Sequence, residues 1–458
     1  MPNQLNLSGI THLVLAFATI DPVTYKIGLR DTADDDVYRE FLSLPDSVSK
    51  WIGIGGFQFT DSDQPTHQTF SKMSSSKENR KAFTDSLQQF LSTYKFSGVD
   101  IDWEWPGNSD RGGDSGDKAN QVELLQDMRQ ALGNNIGLGV AIPAQYTYLQ
   151  NIDLKGLEAQ VDWLSILTYD LHGAWDATTP GLGPKIRPHT DLQEVDTALN
   201  LLWGTQIDSR KINMGIANYG RGYTVEKKEC AYFGCTYTGP SKAGSCTLQE
   251  GILSSCEIRR LISEKHLSWK VIQGGAEVNE VTWDDQWIAW DDTNTLGKKL
   301  ELANDRCLGG TALWAIDYDF SGAITTCFVT DSLLPTFSVS IFRYPPNFIA
   351  VSRISFFGLT SSLYAAPSFR CSPNFIAASG IGVFGLTSSF HAALLVSSLR
   401  FSASISASII SAFRVCPVQR ATSFVGSSIV CSSQYAASIF RCTISSGLER
   451  PRLISSWH

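Results

Sequence analysis

Three carboxylates stand at alternate positions of one short run, Phe96-Ser97-Gly98-Val99-Asp100-Ile101-Asp102-Trp103-Glu104-Trp105-Pro106. Side chains of a strand alternate between its two faces, so Asp100, Asp102 and Glu104 share one face and Val99, Ile101 and Trp103 the other. A covered parallel strand is ordinarily apolar on both faces, and stacked carboxylates resist ionising together, which drives their pKa values apart. Such a row can keep its last member, Glu104, protonated near neutral pH as a general acid. The competing reading is an edge strand whose acids face water. Gly98 before the run and Trp105-Pro106 after it bound a short segment suited to a covered sheet, which favours the acid.

The elements that must position this row read as alternating strands and helices. Apolar runs recur at 11–20, 51–57, 98–105, 136–143, 163–171, 211–220 and 311–319, with helical patterns at 79–95, 118–132 and 191–206 between them. The first and last of these helices open on capping residues. The pattern predicts an α/β fold, a (β/α)8 barrel of the TIM type in which seven strands rather than eight are found. The catalytic barrel is expected over 1–220 and 311–330. Residues 221–310 are too long for a simple connection and are expected to form a small α+β insertion before the last strand.

Composition narrows the classes further. The 458-residue chain has a net charge of -8, which argues against nucleic acid as a partner. From Ser332 onward there are nine Arg, no Lys and one acid, Glu449, so the C-terminal stretch carries +8 and the preceding part -16. That stretch, 331–458, is rich in Ser, Phe and Ala and repeats Pro346-Asn347-Phe348-Ile349-Ala350 at Pro373-Asn374-Phe375-Ile376-Ala377. It is expected to be a disordered or non-native tail. Gly380 to Leu399 lacks formal charge, but its Gly, Ser and His391 make a poor membrane span, so no membrane association is expected. The N-terminus shows no basic flank leading into an apolar core, and hence no signal peptide. Cys230, Cys235, Cys246, Cys256 and Cys307 crowd one segment as in a disulfide-bearing secreted domain, their pairing left open.

The acidic run resembles the DxxDxDxE signature of the family 18 glycoside hydrolases, the chitinases. Gly53-Ile54-Gly55-Gly56-Phe57 is similar to the family's SxGG strand and Leu167-Thr168-Tyr169-Asp170 to its MxYD strand. The stretches 215–221 and 309–315 are similar to its last two strands. Asp110-Arg111-Gly112-Gly113, the segment 170–176 and the Cys-bearing insertion look most like fungal class V chitinases related to killer-toxin alpha subunits. The resemblance covers about residues 1 to 325. It implies retaining, substrate-assisted hydrolysis of β-1,4-linked N-acetylglucosamine in chitin or chito-oligosaccharides, without metal or cofactor. Glu104 would be the acid, Asp102 would hold the acetamido N–H, and Asp100 would share a proton with it. Tyr169 would hold the acetamido oxygen and Asp170 would contact the sugar. Trp314 would floor the reacting sugar's site, with Phe17, Phe57, Trp105 and Trp175 as further aromatic subsites. A secreted, extracellular monomer is implied.

Several positions depart from the family pattern: Ser97 for the first Asp, Gly53 for Ser, Leu167 for Met, and Asn218 for an aromatic. The signature also falls on the third strand found rather than the fourth, so the barrel is expected to lack its first strand and to have two open edges. A chitin-binding relative without catalysis, or an impaired truncated chitinase, is the alternative reading. Non-catalytic relatives typically lose the Glu that stands here as Glu104. An endo-β-N-acetylglucosaminidase would typically lack the long insertion.

Overall fold

A computed structural model describes residues 5, 7, 9–31 and 34–318, together with the backbone of the strands Phe337–Phe342, Ser428–Ser432 and Arg441–Ser445. The seven apolar runs become seven parallel strands. They begin with β1 (His12–Ile20), onto whose end the short β2 (Ile27–Gly28) folds back, and continue with β3 (Ser49–Gly55) and β4 (Gly98–Asp102). β5 (Gly137–Pro143), β6 (Trp163–Leu167) and β7 (Ile212–Ala217) follow. Within the insertion lie β8 (Tyr219–Val225), β9 (Tyr237–Pro240), β10 (Ile252–Ser254), β11 (Trp269–Val271), β12 (Asn279–Trp283) and β13 (Gln286–Trp290). The seventh parallel strand is β14 (Gly310–Trp314), and β15 (Phe337–Phe342) comes after it.

Parallel pairing runs β1, β3, β4, β5, β6, β7, β14. The two edges that the sequence left open both meet β15, which pairs antiparallel with β1 and with β14. The circle therefore closes on a strand running against the others. Contacts divide the chain into two units, the second made of 372–375 and 384–458 and containing an antiparallel hairpin of Ser428–Ser432 with Arg441–Ser445. The repeat at 346–389 and the uncharged stretch 380–399 fall outside the described residues. Among the described residues no helix is long and apolar enough to cross a membrane.

Local chemistry explains the layers. The helix Lys77–Tyr94 starts where the Ser76 hydroxyl accepts from Asn79 N–H, and it ends at Lys95, whose φ of 62° leaves the helical region. Phe83, Leu87, Phe90 and Leu91 recur at helical spacing and are buried against the sheet, each contributing about 1.5–3 kcal/mol relative to exposure. Asp191 caps Leu192–Trp203 by accepting from Gln193 N–H, as its position before the pattern predicts. Inside the barrel, Trp51 and Trp163 stack with ring centroids 3.9 Å apart and fill the lower lumen. Gly98 and Gly137 make room for them, since a Cβ would come within 2.3 and 2.1 Å of the Trp51 ring.

The insertion is a six-stranded antiparallel sheet in the order β10-β8-β13-β12-β11, with β9 beside β8. Its expected range of 221–310 is too wide at the C-terminal end. The helix Thr293–Asp305 packs on β7 and β14 and so belongs to the barrel's outer layer. Lys299 from that helix is buried, 2.5 Å from Asp291, and the other Asp291 oxygen accepts from Thr190 at 2.8 Å. Cys230 and Cys235 form a disulfide, Cys256 and Cys307 are also disulfide-bonded, and Cys246 is free.

Candidate active site

The acid row lies inside the barrel. Asp100, Asp102 and Glu104 are 5%, 9% and 8% exposed, which removes the reading in which these acids face water. β4 is shorter than expected: pairing to β5 stops at Ile101 and to β3 at Asp102, so Glu104 stands just past the strand at the barrel's C-terminal rim. Burial pushes Asp100 up to about 7, against the pull of the Trp163 indole N–H, which donates to Asp100 Oδ1 at 3.3 Å. Burial and then the Asp100 charge push Asp102 up to about 8. Asp102 Oδ1 is buried without a hydrogen-bond partner. Burial, followed by the Asp102 charge, raises Glu104 well above the ordinary carboxyl range, the direction that favours its acid form.

Two further residues come from the end of β6. The Tyr169 ring is buried, and burial followed by the Asp102 charge keeps its phenol protonated. Asp170 adopts φ 56°, a left-handed conformation uncommon outside glycine, which turns its carboxylate back toward β8. There it receives two hydrogen bonds of 2.6 Å from Arg221 and one of 2.6 Å from the Tyr219 hydroxyl. Burial works to raise the Asp170 carboxyl, but the Arg221 guanidinium overcomes it and holds the group far below the usual carboxylate range. His189 closes this cluster: its Nδ1 lies 3.3 Å from Asp170 N–H and its Nε2 3.2 Å from the Tyr219 carbonyl. Burial lowers its pKa, in keeping with a neutral ring that donates from Nε2 and accepts at Nδ1.

Tyr219, Arg221 and His189 carry functional geometry that the sequence reading left without a role. The signal available was Tyr219-Gly220-Arg221, in which alternation puts both polar side chains on one face of the strand leaving the barrel.

The aromatic expectations divide. Trp314, the last residue of β14, and Phe17, within the second half of β1, stack with centroids 5.7 Å apart, and both remain partly exposed. A Cβ at Gly53 would approach the Phe17 ring at 3.0 Å, so the glycine that replaces the family Ser gives this ring room. Phe57 and Trp175 are exposed, and each lies against a guanidinium: Arg111 is 3.8 Å from the Phe57 centroid and Arg221 4.6 Å from that of Trp175. Trp105, next to Glu104, is as buried as the acids, and its ring stacks on Tyr148 with centroids 5.6 Å apart. Asn218, in place of an expected aromatic, is buried and donates to the Ala315 carbonyl at 3.2 Å, tying β7 to the residue after Trp314.

Comparison with known proteins agrees with this geometry. The model of the glycosyl hydrolases family 18 matches residues 2–319. The chain is 28% identical over 336 residues to the secreted chitinase LysM12 of Penicillium expansum, covering 69% of this chain and 22% of that protein. It is 27% identical to the killer toxin subunits alpha/beta of Kluyveromyces lactis, covering 62% of this chain and 25% of that one. The chain thus spans about a quarter of these fungal relatives. Chitotriosidase-1 of Mus musculus is 26% identical, with 70% of each chain covered. Among solved structures, catalytic domain 2 of the Ostrinia furnacalis Group II chitinase superposes with a TM-score of 0.63 at 27% identity, covering 70% of this chain and 85% of that one.

Proposed function

The chain belongs to glycosyl hydrolase family 18, and from that premise we propose that it hydrolyses β-1,4-N-acetylglucosamine linkages of chitin with retention, using the substrate's own acetamido group as nucleophile. The observation that carries this reading is the pairing of a buried Glu104, pushed toward its acid form by burial and the Asp102 charge, with Asp102, whose Oδ1 is buried and unpartnered. A buried carboxylate oxygen without a donor is costly, and a substrate amide N–H is the donor that would satisfy it. Glu104 gives its proton to the glycosidic oxygen as the acetamido oxygen bonds to the anomeric carbon and the leaving sugar departs. Asp102 accepts from the acetamido N–H and offsets the oxazolinium charge, helped by the proton that Asp100 can share. Tyr169 donates to the acetamido oxygen and holds it in line. Water then attacks the anomeric carbon from the vacated face as its bond to the acetamido oxygen breaks, and the Glu104 carboxylate takes a proton from that water.

Asp170, held ionised by Arg221, acts as a fixed acceptor toward the sugar. Trp314 with Phe17 offers an apolar floor, and Phe57 and Trp175 offer outer platforms. An extracellular site of action is supported by the Cys230–Cys235 disulfide and by the secreted relative.

The test is cleavage of the N-acetylglucosamine hexamer by the full chain, with product anomers read early by NMR and Glu104→Gln run in parallel. We expect β-anomeric products and a loss in the variant of about 10²- to 10⁴-fold, the scale of general acid catalysis. Binding of the hexamer without cleavage by the original chain would leave a chitin-binding protein, and α-anomeric products would remove the acetamido mechanism.

A further inference from the structure

The exposed rings of Phe57 and Trp175 are each backed by an arginine, but the arginines differ in what else they hold. Arg221 is committed to the Asp170 carboxylate. Arg111, in the loop after β4, has a different set of partners. Its Nε lies 3.3 Å from the backbone carbonyl of Glu104 itself. One terminal nitrogen donates to Asp61 Oδ1 at 2.6 Å, and the other to Thr60 Oγ1 at 2.9 Å and to the Phe57 carbonyl. Thr60 in turn donates to the Glu104 carbonyl and is fully buried. The flat face of the same guanidinium covers the Phe57 ring, which is nonetheless 56% exposed.

From these contacts we propose that Arg111 is a positioning residue that couples a sugar platform at Phe57 to the acid Glu104, one guanidinium setting both. The proposal rests on the family 18 reading of Glu104.

The loop that delivers Arg111 is built to hold it. Asn108 Oδ1 accepts from Arg111 N–H at 3.1 Å, and Gly112 and Gly113 fold back on the Ser109 and Asn108 carbonyls. Gly112 has φ 71°, and a Cβ there would meet the His67 carbonyl oxygen at 2.0 Å. The buried Asp117 carboxylate accepts from Gly107 and Asp114 N–H and from Ser71 Oγ, anchoring both ends of the loop. A long side chain with so many fixed donors has lost its rotamer freedom before any ligand arrives, which is the preorganisation a positioning group needs.

The charges acting on Glu104 are those of Asp102, Asp170 and Asp61, which favour its protonated form, and of Arg111, which opposes them. Removing the Arg111 charge leaves three carboxylates pushing in one direction, so Glu104 holds its proton to higher pH. Removing its planar face frees the Phe57 ring. These are separable effects.

The experiment uses the full chain with Arg111→Gln, Arg111→Lys and Phe57→Ala. For Arg111→Gln we expect the alkaline limb of kcat/KM on the hexamer to move up by about 0.5 pH or more. We also expect its KM to rise about 2- to 10-fold, matching Phe57→Ala. Arg111→Lys should keep the limb close to its original pH while raising KM, because the charge remains and the stacking plane does not. A folded Arg111→Gln with an unmoved limb, or with hexamer KM unchanged while Phe57→Ala raises it, overturns the proposal. Two readouts separate its failure from that of the family reading: ¹³C titration of the Glu104 carboxyl and hexamer affinity in a Glu104→Gln background. Both report on Arg111 even if the original chain cleaves nothing.

Discussion

Asp102 links the two acids on either side of it. It is raised by burial and by Asp100 beneath it, and its own charge is the second cause, after burial, that pushes Glu104 toward its acid form. Asp102→Asn removes that charge while keeping the shape. Glu104 then loses its proton at lower pH, so the alkaline limb of kcat/KM moves toward acid. kcat should also fall by about 10²-fold, since the oxazolinium loses its counter-charge. A pH–rate series on the hexamer checks both, and a limb that stays in place would remove Asp102 as the cause of the raised acid. At this scale much was legible. The period of two put three acids on one face, and burial was inferred from Gly98 and Pro106. The partner that steadies Asp100 was not legible, because Trp163 lies on β6, 63 residues away, and reads in sequence as an apolar strand residue. The packing of Trp105 was not legible either, because its partner Tyr148 lies on the short helix Tyr146–Leu149 of another segment.

Among the elements, the segment between β6 and the helix Leu192–Trp203 sets the second side of the site, since it carries Trp175 against Arg221. Its core is His172, nearly buried, with Nδ1 2.6 Å from Asp176 and Nε2 3.0 Å from Glu194. Burial works to lower this imidazole, but the hydrogen bonds it donates to Asp176 and Glu194 win and push it up to about 9. A His raised in the folded state adds stability that is whole below its ordinary value of 6.5 and is lost as pH rises through about 9. The difference amounts to about 3 kcal/mol. His172→Gln should therefore lower Tm at pH 6, and the gap to the original chain should close by pH 10. Thermal unfolding at the two pH values checks this, and a gap of constant size would mean that His172 matters only through its shape. The sequence displayed the helices and their caps because Asp191 and the apolar spacing are local signals. It hid the buried pair of Lys299 and Asp291, since a lysine in a helical pattern reads as solvated until a carboxylate from another segment is known to meet it.

For the molecule as a whole, the decisive question is how a barrel with seven parallel strands avoids two open edges. Unpaired edges expose rows of N–H and C=O groups that recruit other chains. Here β15 supplies the missing partner on both sides: His12 and Leu13 of β1 face Ile341 and Ser340, and Ala312 and Leu313 of β14 face the same two residues. One strand thus ties the first parallel strand to the last, although its antiparallel direction departs from the βα repeat. The signal was there in Phe337-Ser338-Val339-Ser340-Ile341, which alternates apolar and polar at strand period, but it is short and lies in the Ser- and Phe-rich stretch read as a tail, so nothing tied it to the barrel. If this closure holds the barrel, a chain ended at residue 330 should exchange amide hydrogens faster along β1 and β14 than the full chain does. β5 and β6, flanked on both sides by parallel neighbours, should keep their protection. The shortened chain should also associate through its freed edges as concentration rises, which light scattering would register. Equal protection of β1 and β14 in the two chains would mean that the edges are satisfied without β15. The scaffold of the site would then rest on the seven parallel strands alone, and Phe17 and Trp314, carried by those two strands, would keep their stacking without it.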